Sequence, residues 1–175
     1  KVQQLEPNNP MVLAGSIDIA HRAGRLDIAV RLLRHGLRLH PNDPQLTFEL
    51  ANDLATLGSQ QEALALWNQL IENNPNAPDL LLGRLKTQIA LHNFSAAQSD
   101  AAKLVALAPN NERYKYYADL SNGLTPMHQP SEIPQRLFDA VAPIYDLHMV
   151  RNLQYRLPKH VADRLRSARD TQKFN

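Results

Sequence analysis

Four prolines, Pro7, Pro41, Pro75 and Pro109, stand 34 residues apart, and no other feature of the chain restricts its fold so sharply. Proline lacks a backbone N–H and clashes with the preceding helical turn, so each of the four marks a place where a helix must stop. A period of this length means one supersecondary unit copied along the chain, each copy unable to bury its apolar surface alone. Counting back from each proline gives units at 10–43, 44–77 and 78–111. A small residue recurs in phase as Ala29, Ala63 and Ala97, and four positions after it stand Leu33, Trp67 and Ala101. The first half of each unit has its own helically spaced set: Leu13, Ile17 and Ala20, then Leu50, Ala51 and Leu54, then Leu81, Leu85 and Gln88. Between the halves lie Gly24, Gly58 and the pair His92-Asn93, residues that tolerate the left-handed backbone of a tight turn.

This arrangement resembles the tetratricopeptide repeat (TPR), a helix–turn–helix unit with a small residue early in helix B and a closing proline. The resemblance spans residues 10–122; Ser16, Gln88 and Ala101 depart from its pattern. It implies an all-α solenoid of three full repeats and a capping helix at 112–122, whose partner helix is forestalled by Gly123, Pro126 and Pro130. Val2 to Pro7 reads as the tail of another helix B, so residues 1–9 are expected to close an upstream repeat. The chain opens on Lys1 rather than Met, which makes an excerpt from a longer protein the expectation. With six glycines and 6% aromatic residues, the composition also favours helices over a turn-rich β fold. The absence of cysteine excludes disulfide frameworks and thiolate metal sites. A formal charge of +2 is too small to argue for nucleic acid or a membrane surface. No apolar run approaches the roughly 20 residues of a membrane span. Without a signal-peptide pattern, the expected location is the cytoplasm.

TPR arrays bind peptides or helices in a concave groove lined by their A helices, so the resemblance implies a protein or peptide ligand. Projected onto this chain, the groove takes Asp18, His21 and Arg22 from the first unit, and Phe48, Glu49 and Asn52 from the second. The third adds Asp79, Leu82 and Lys86, and the cap adds Arg113 and Tyr116. Co-chaperone TPR domains that clamp a C-terminal carboxylate use Lys, Asn and Arg on these faces. Here the matching places hold Ala14, Asp18, Glu49, Asp79 and Gly83, which argues against that clamp. The carboxylates favour a basic or amphipathic partner, with Asn52 able to bond a peptide backbone; the plainer reading is a solvated helix face. Arg22, Arg25, Arg31, Arg34 and Arg38 form a basic cluster, but no aromatic residues alternate with them, which weighs against single-stranded nucleic acid.

Beyond a linker at 123–131 the 34-residue pattern fails, and residues 132–175 read as helical. Phe138, Asp139, Ala142, Tyr145, Asp146, His148, Leu153, Tyr155 and Pro158 resemble the lead-in of class I S-adenosylmethionine-dependent methyltransferases that carry N-terminal TPRs. Pro143, Met149 and Gln154 depart from that pattern. The resemblance implies a methyltransferase as the full-length parent, with S-adenosylmethionine as its cofactor and Tyr145 and Asp146 beside the cofactor pocket. No cofactor is expected in this stretch itself. From Leu124 to Asn175 there is no glycine for the loop such a cofactor needs, and no other catalytic motif is present, so the stretch is expected not to be catalytic. A non-enzymatic scaffold that organises an assembly or self-associates is the alternative.

Overall fold

The computed structural model describes residues 8–142 and 160–166, and among them every regular element is a helix. Three hairpins follow in order: α1 (Pro10–Arg22) with α2 (Leu26–Leu39), α3 (Pro44–Thr56) with α4 (Gln60–Asn73), and α5 (Pro78–Ala90) with α6 (Phe94–Leu107). Then come α7 (Glu112–Ser121), α8 (Glu132–Val141) and a helical stretch at 160–166. Residues 1–7 of the stretch read as the tail of an upstream repeat, and Tyr145 and Asp146 with most of the methyltransferase-like stretch, lie outside the described residues; Asn9, given to that tail by the sequence, caps α1 instead.

Each hairpin starts the same way. Pro10, Pro44 and Pro78 occupy the first helical position, where the missing N–H is one that no helix would satisfy anyway. Asn9, Asp43 and Asn111 cap α1, α3 and α7 by accepting from backbone N–H groups of the first turn. Ala77 sits at the same place before α5, with nearly the backbone angles of Asp43, and has no side-chain oxygen to offer. The A helices also end alike. Gly24 (φ 65°), Gly58 (φ 85°) and His92 (φ 59°) take the left-handed conformation. The next N–H then reaches back to the helix: Arg25 to the Ala20 carbonyl, Ser59 to Leu54 and Asn93 to Gln88, at 2.8–2.9 Å. Three repeats thus share one turn, and the third builds it without glycine.

All nine of the A-helix positions picked out by spacing are buried, as are Ala29, Ala63 and Ala97, each at 0% exposure. The zero exposure of those alanines shows why the position is small: helices cross there with no room for a longer side chain. Leu33, Trp67 and Ala101 fill the space beside them. The core forms two clusters, one from the first two hairpins and one from the third hairpin and α7, with Leu80 packed against both. Burial of this surface, at roughly 25 cal/mol per Å² of apolar area, is what holds one hairpin to the next. Beyond the hairpin pairs and the successive contacts of α2 with α3, α4 with α5 and α6 with α7, the A helices meet one another, α3 with α5 and α5 with α7. They form an inner layer.

Candidate peptide-binding groove

The inner layer contains a cavity of about 280 Å³ between α3 and α5. Asn52 and Thr56 line it from α3, Gly83, Lys86 and Thr87 from α5, and Trp67 with Gln60 from α4 behind them. Trp67 makes this site. Its ring lies so close to Gly83 that a Cβ there would stand 2.7 Å from Cζ2, so only glycine fits. The indole N–H donates to Thr87 Oγ1 at 3.1 Å, and that hydroxyl donates on to the Gly83 carbonyl at 2.9 Å. Phe48 meets the indole edge-on, with centroids 5.4 Å apart. The indole is therefore fixed by packing on its face and edge and by a hydrogen bond at its N–H.

Polar groups are distributed unevenly around it. Asn52 Nδ2 donates to the Phe48 carbonyl at 3.1 Å, which leaves its oxygen as the ligand-facing group, an acceptor for a peptide N–H. Gln60 Nε2 donates to the Ala55 carbonyl, while its buried Oε1 has no partner. Lys86 is solvent-exposed, yet desolvation by surrounding protein, and then the like charge of Arg113, lowers its pKa. Arg113 is half-buried, its guanidinium 5.8 Å from the Tyr114 ring and its buried Nε unpaired. Tyr116 and Tyr117 stand edge to face on the same helix, and burial raises the Tyr117 phenol pKa.

The projected residues separate on this structure. Asn52 and Lys86 share the cavity. Asp79 is exposed in the first turn of α5. Glu49 is half-buried and accepts from Gln45 Nε2 at 2.8 Å. Asp18 and Arg22 are exposed and pair with each other one turn apart, at 3.7 Å. Three projected residues serve the framework. Phe48 braces Trp67, and Leu82, only 8% exposed, belongs to the second core cluster and offers no open surface. His21 Nε2 is bound to Asp53 Oδ2 at 2.8 Å, tying α1 to α3. Asp53 itself carries no sequence signal: burial raises its pKa, and the His21 contact lowers it by less. Position 53 is where the repeat puts Thr87 and Ser121, also buried, so a polar residue at that phase was the available clue. Likewise Gly83 gives up its meaning only with Trp67 in place.

The basic cluster is largely neutralised. Arg25 forms a two-fold contact with Asp27, whose pKa falls to about 2 chiefly through that hydrogen bond, and Arg34 grips Glu62 across from α2 to α4. Deeper in the array, Arg84 of α5 holds Asp100 of α6 through two 2.7 Å bonds and Asn68 of α4 through a third at 2.9 Å. Among the described residues no helix is long and apolar enough to cross a membrane, and no group of His, Asp and Glu could hold a metal ion.

Repeated hairpins sharing one proline start, one turn and one small crossing residue, with the A helices inward, define a TPR solenoid. Solved structures carry the same fold. Residues 41–end of MamA from Desulfovibrio magneticus RS-1 align over 78% of this chain and 74% of that one, at 21% identity and a TM-score of 0.61. A tetratricopeptide repeat protein from Parabacteroides merdae aligns over 87% and 57%, at 21% identity and a TM-score of 0.60. The first TPR domain of human RPAP3 aligns over 65% and 89%, at 20% and 0.56. No protein-family model matches the chain, and no curated protein does.

Proposed function

We propose that this array is a recognition module that holds an extended or helical segment of a partner protein along α1, α3, α5 and α7. The observation that carries the reading is the cavity against Trp67: it opens on the A-helix layer, its wall is fixed by packing, and Asn52 and Lys86 reach it with capacity to spare. The partner is amphipathic. Its apolar residues meet half-buried Phe48 and the apolar lining of the cavity, and its basic ones meet the carboxylates of Asp18, Glu49 and Asp79. Selection of random displayed peptides on the protein tests this. The enriched peptides should lose most of their affinity for Asn52→Ala and Lys86→Ala variants of unchanged circular dichroism, and none for variants of outward-facing Gln69. Failure to enrich any groove-dependent peptide would remove the proposal.

The same reading includes the parent protein: the array selects the substrate of an S-adenosylmethionine-dependent methyltransferase to which residues 132–175 lead. Its support is the sequence pattern from Phe138 to Pro158. The coding sequence after Asn175 decides it, by showing or lacking an apolar strand that runs into a glycine-rich loop. Methyl transfer by residues 1–175 alone would count against it.

Assembly by self-association has an observation in its favour too. The outer face of α1 and α2 forms an apolar hollow of about 560 Å³, where Met11 and Ile19 are 86% and 66% exposed. Sedimentation velocity of wild type and Ile19→Asp separates this from simple monomeric recognition.

A further inference from the structure

The A-helix layer places two cations, Lys86 on α5 and Arg113 on α7, on helices packed against each other. Neither has an ion-pair partner or accepting group among the described residues. Four arginines of the array, Arg22, Arg25, Arg34 and Arg84, each face a carboxylate. Like charges on packed helices repel one another unless an opposite charge lies between them. A buried guanidinium N–H with no acceptor adds its own desolvation cost. Lys86 registers both effects, its ammonium weakened by desolvation and by Arg113. The Tyr117 phenol, in ring contact with Tyr116, feels the Arg113 charge as well.

From this we infer that the α5–α7 end of the groove is a carboxylate site, in which Lys86 and Arg113 together hold an acidic group of the bound segment. The inference rests on the groove reading above and refines it: Asp18 and Glu49 stand on α1 and α3, Asp79 opens α5, and Lys86 and Arg113 follow on the rest of α5 and on α7. A bound segment is then read in one direction, basic residue towards α1 and acidic residue towards α7. This site uses neither the first-unit nor the second-unit places at which the co-chaperone clamp stands. The carboxylate is either a side chain or a chain end.

Random linear peptides displayed and selected in parallel on wild type and on a Lys86→Glu/Arg113→Glu variant test it. Wild type should enrich an acidic residue at a fixed offset from the apolar positions, and the variant a basic one at that offset. The selected peptides, resynthesised with a free or an amidated C-terminus and with Glu→Gln, identify the source. A loss of at least tenfold on amidation assigns the chain end, and the same loss on Glu→Gln assigns the side chain. Groove-dependent peptides that show no acidic preference, or the same preference on both proteins, overturn the carboxylate site and leave the groove reading standing. No groove-dependent peptide on either protein overturns both. The Lys86→Glu/Arg113→Glu exchange replaces one like-charge pair by another, so circular dichroism and melting temperature are measured for each variant, and a Lys86→Gln/Arg113→Gln variant, losing the preference without reversing it, guards against a folding defect.

Discussion

Removing Arg84 should be among the most damaging single substitutions in the array. Its guanidinium donates twice to Asp100 at 2.7 Å and once to Asn68 at 2.9 Å, joining α5 to α6 and α4. The Asp100 side chain is only 2% exposed and that of Arg84 17%. Truncation to Ala therefore leaves a carboxylate enclosed without its partner, for which about 3–5 kcal/mol is the expected cost. With a urea m-value of about 2 kcal/mol/M, the midpoint should fall by about 1.5–2.5 M. The single tryptophan, Trp67, is 1% exposed and lies at the same boundary, so its fluorescence reports that region while circular dichroism reports all helices. The double variant Arg84→Met/Asp100→Leu replaces the pair by apolar groups of similar size and should recover most of the loss. A midpoint shift below about 0.5 M for Arg84→Ala, roughly 1 kcal/mol at that slope, would refute the argument. So would a double variant no better than the single one.

Other expectations follow from the caps, the turn and the buried carboxylate. Ala77→Asp supplies the oxygen that Asp43 supplies one repeat earlier at similar backbone angles, and should raise stability by about 1 kcal/mol, seen as a higher urea midpoint. His92→Gly relieves a left-handed backbone at φ 59°, worth about 1–2 kcal/mol, against an unfolded-state entropy cost of about 0.4–1 kcal/mol. A net gain of about 0–1.6 kcal/mol should appear, and a clear loss would show that the His92–Phe94 ring contact matters more. Asp53→Asn tests the buried carboxyl. Burial raises its pKa, so the native state keeps a proton that the unfolded chain releases near pH 3.9, and stability falls as pH climbs from there through the native value. Midpoints measured against pH should show Asp53→Asn gaining on wild type across that interval and holding a constant lead above it.

The fold was legible because its determinants are local and periodic. Pro41, Gly24 and Ala29 each act within a few residues of themselves, by stopping a helix, turning the chain or permitting a crossing, and their phase repeats. Burial of every spaced A-helix position follows from the same periodicity. The groove was less legible because its residues act across repeats. His21 looked like a surface group until Asp53, on another helix, claimed it at 2.8 Å, and Leu82 looked available until α7 closed over its cluster. The carboxylates of the first three A helices were visible in the sequence. The opposing pair Lys86 and Arg113 was visible only as two separate residues, since their proximity depends on how α5 meets α7.

Repeat arrays lend themselves to growth by copying a unit, and the contact of Trp67 with Gly83 limits that freedom here. Thirty-four positions before Gly83 the repeat carries Glu49, before Arg84 it carries Leu50, and before Asp100 it carries Leu66. A tandem duplication of 44–77 would thus set the side chain of Glu49 where an indole ring lies 2.7 Å from the position of any Cβ. The new junction would also lack the guanidinium–carboxylate clasp. The second and third units are thus matched to one another through side chains that the junction before them does not carry, and a copied unit would need compensating substitutions at those positions.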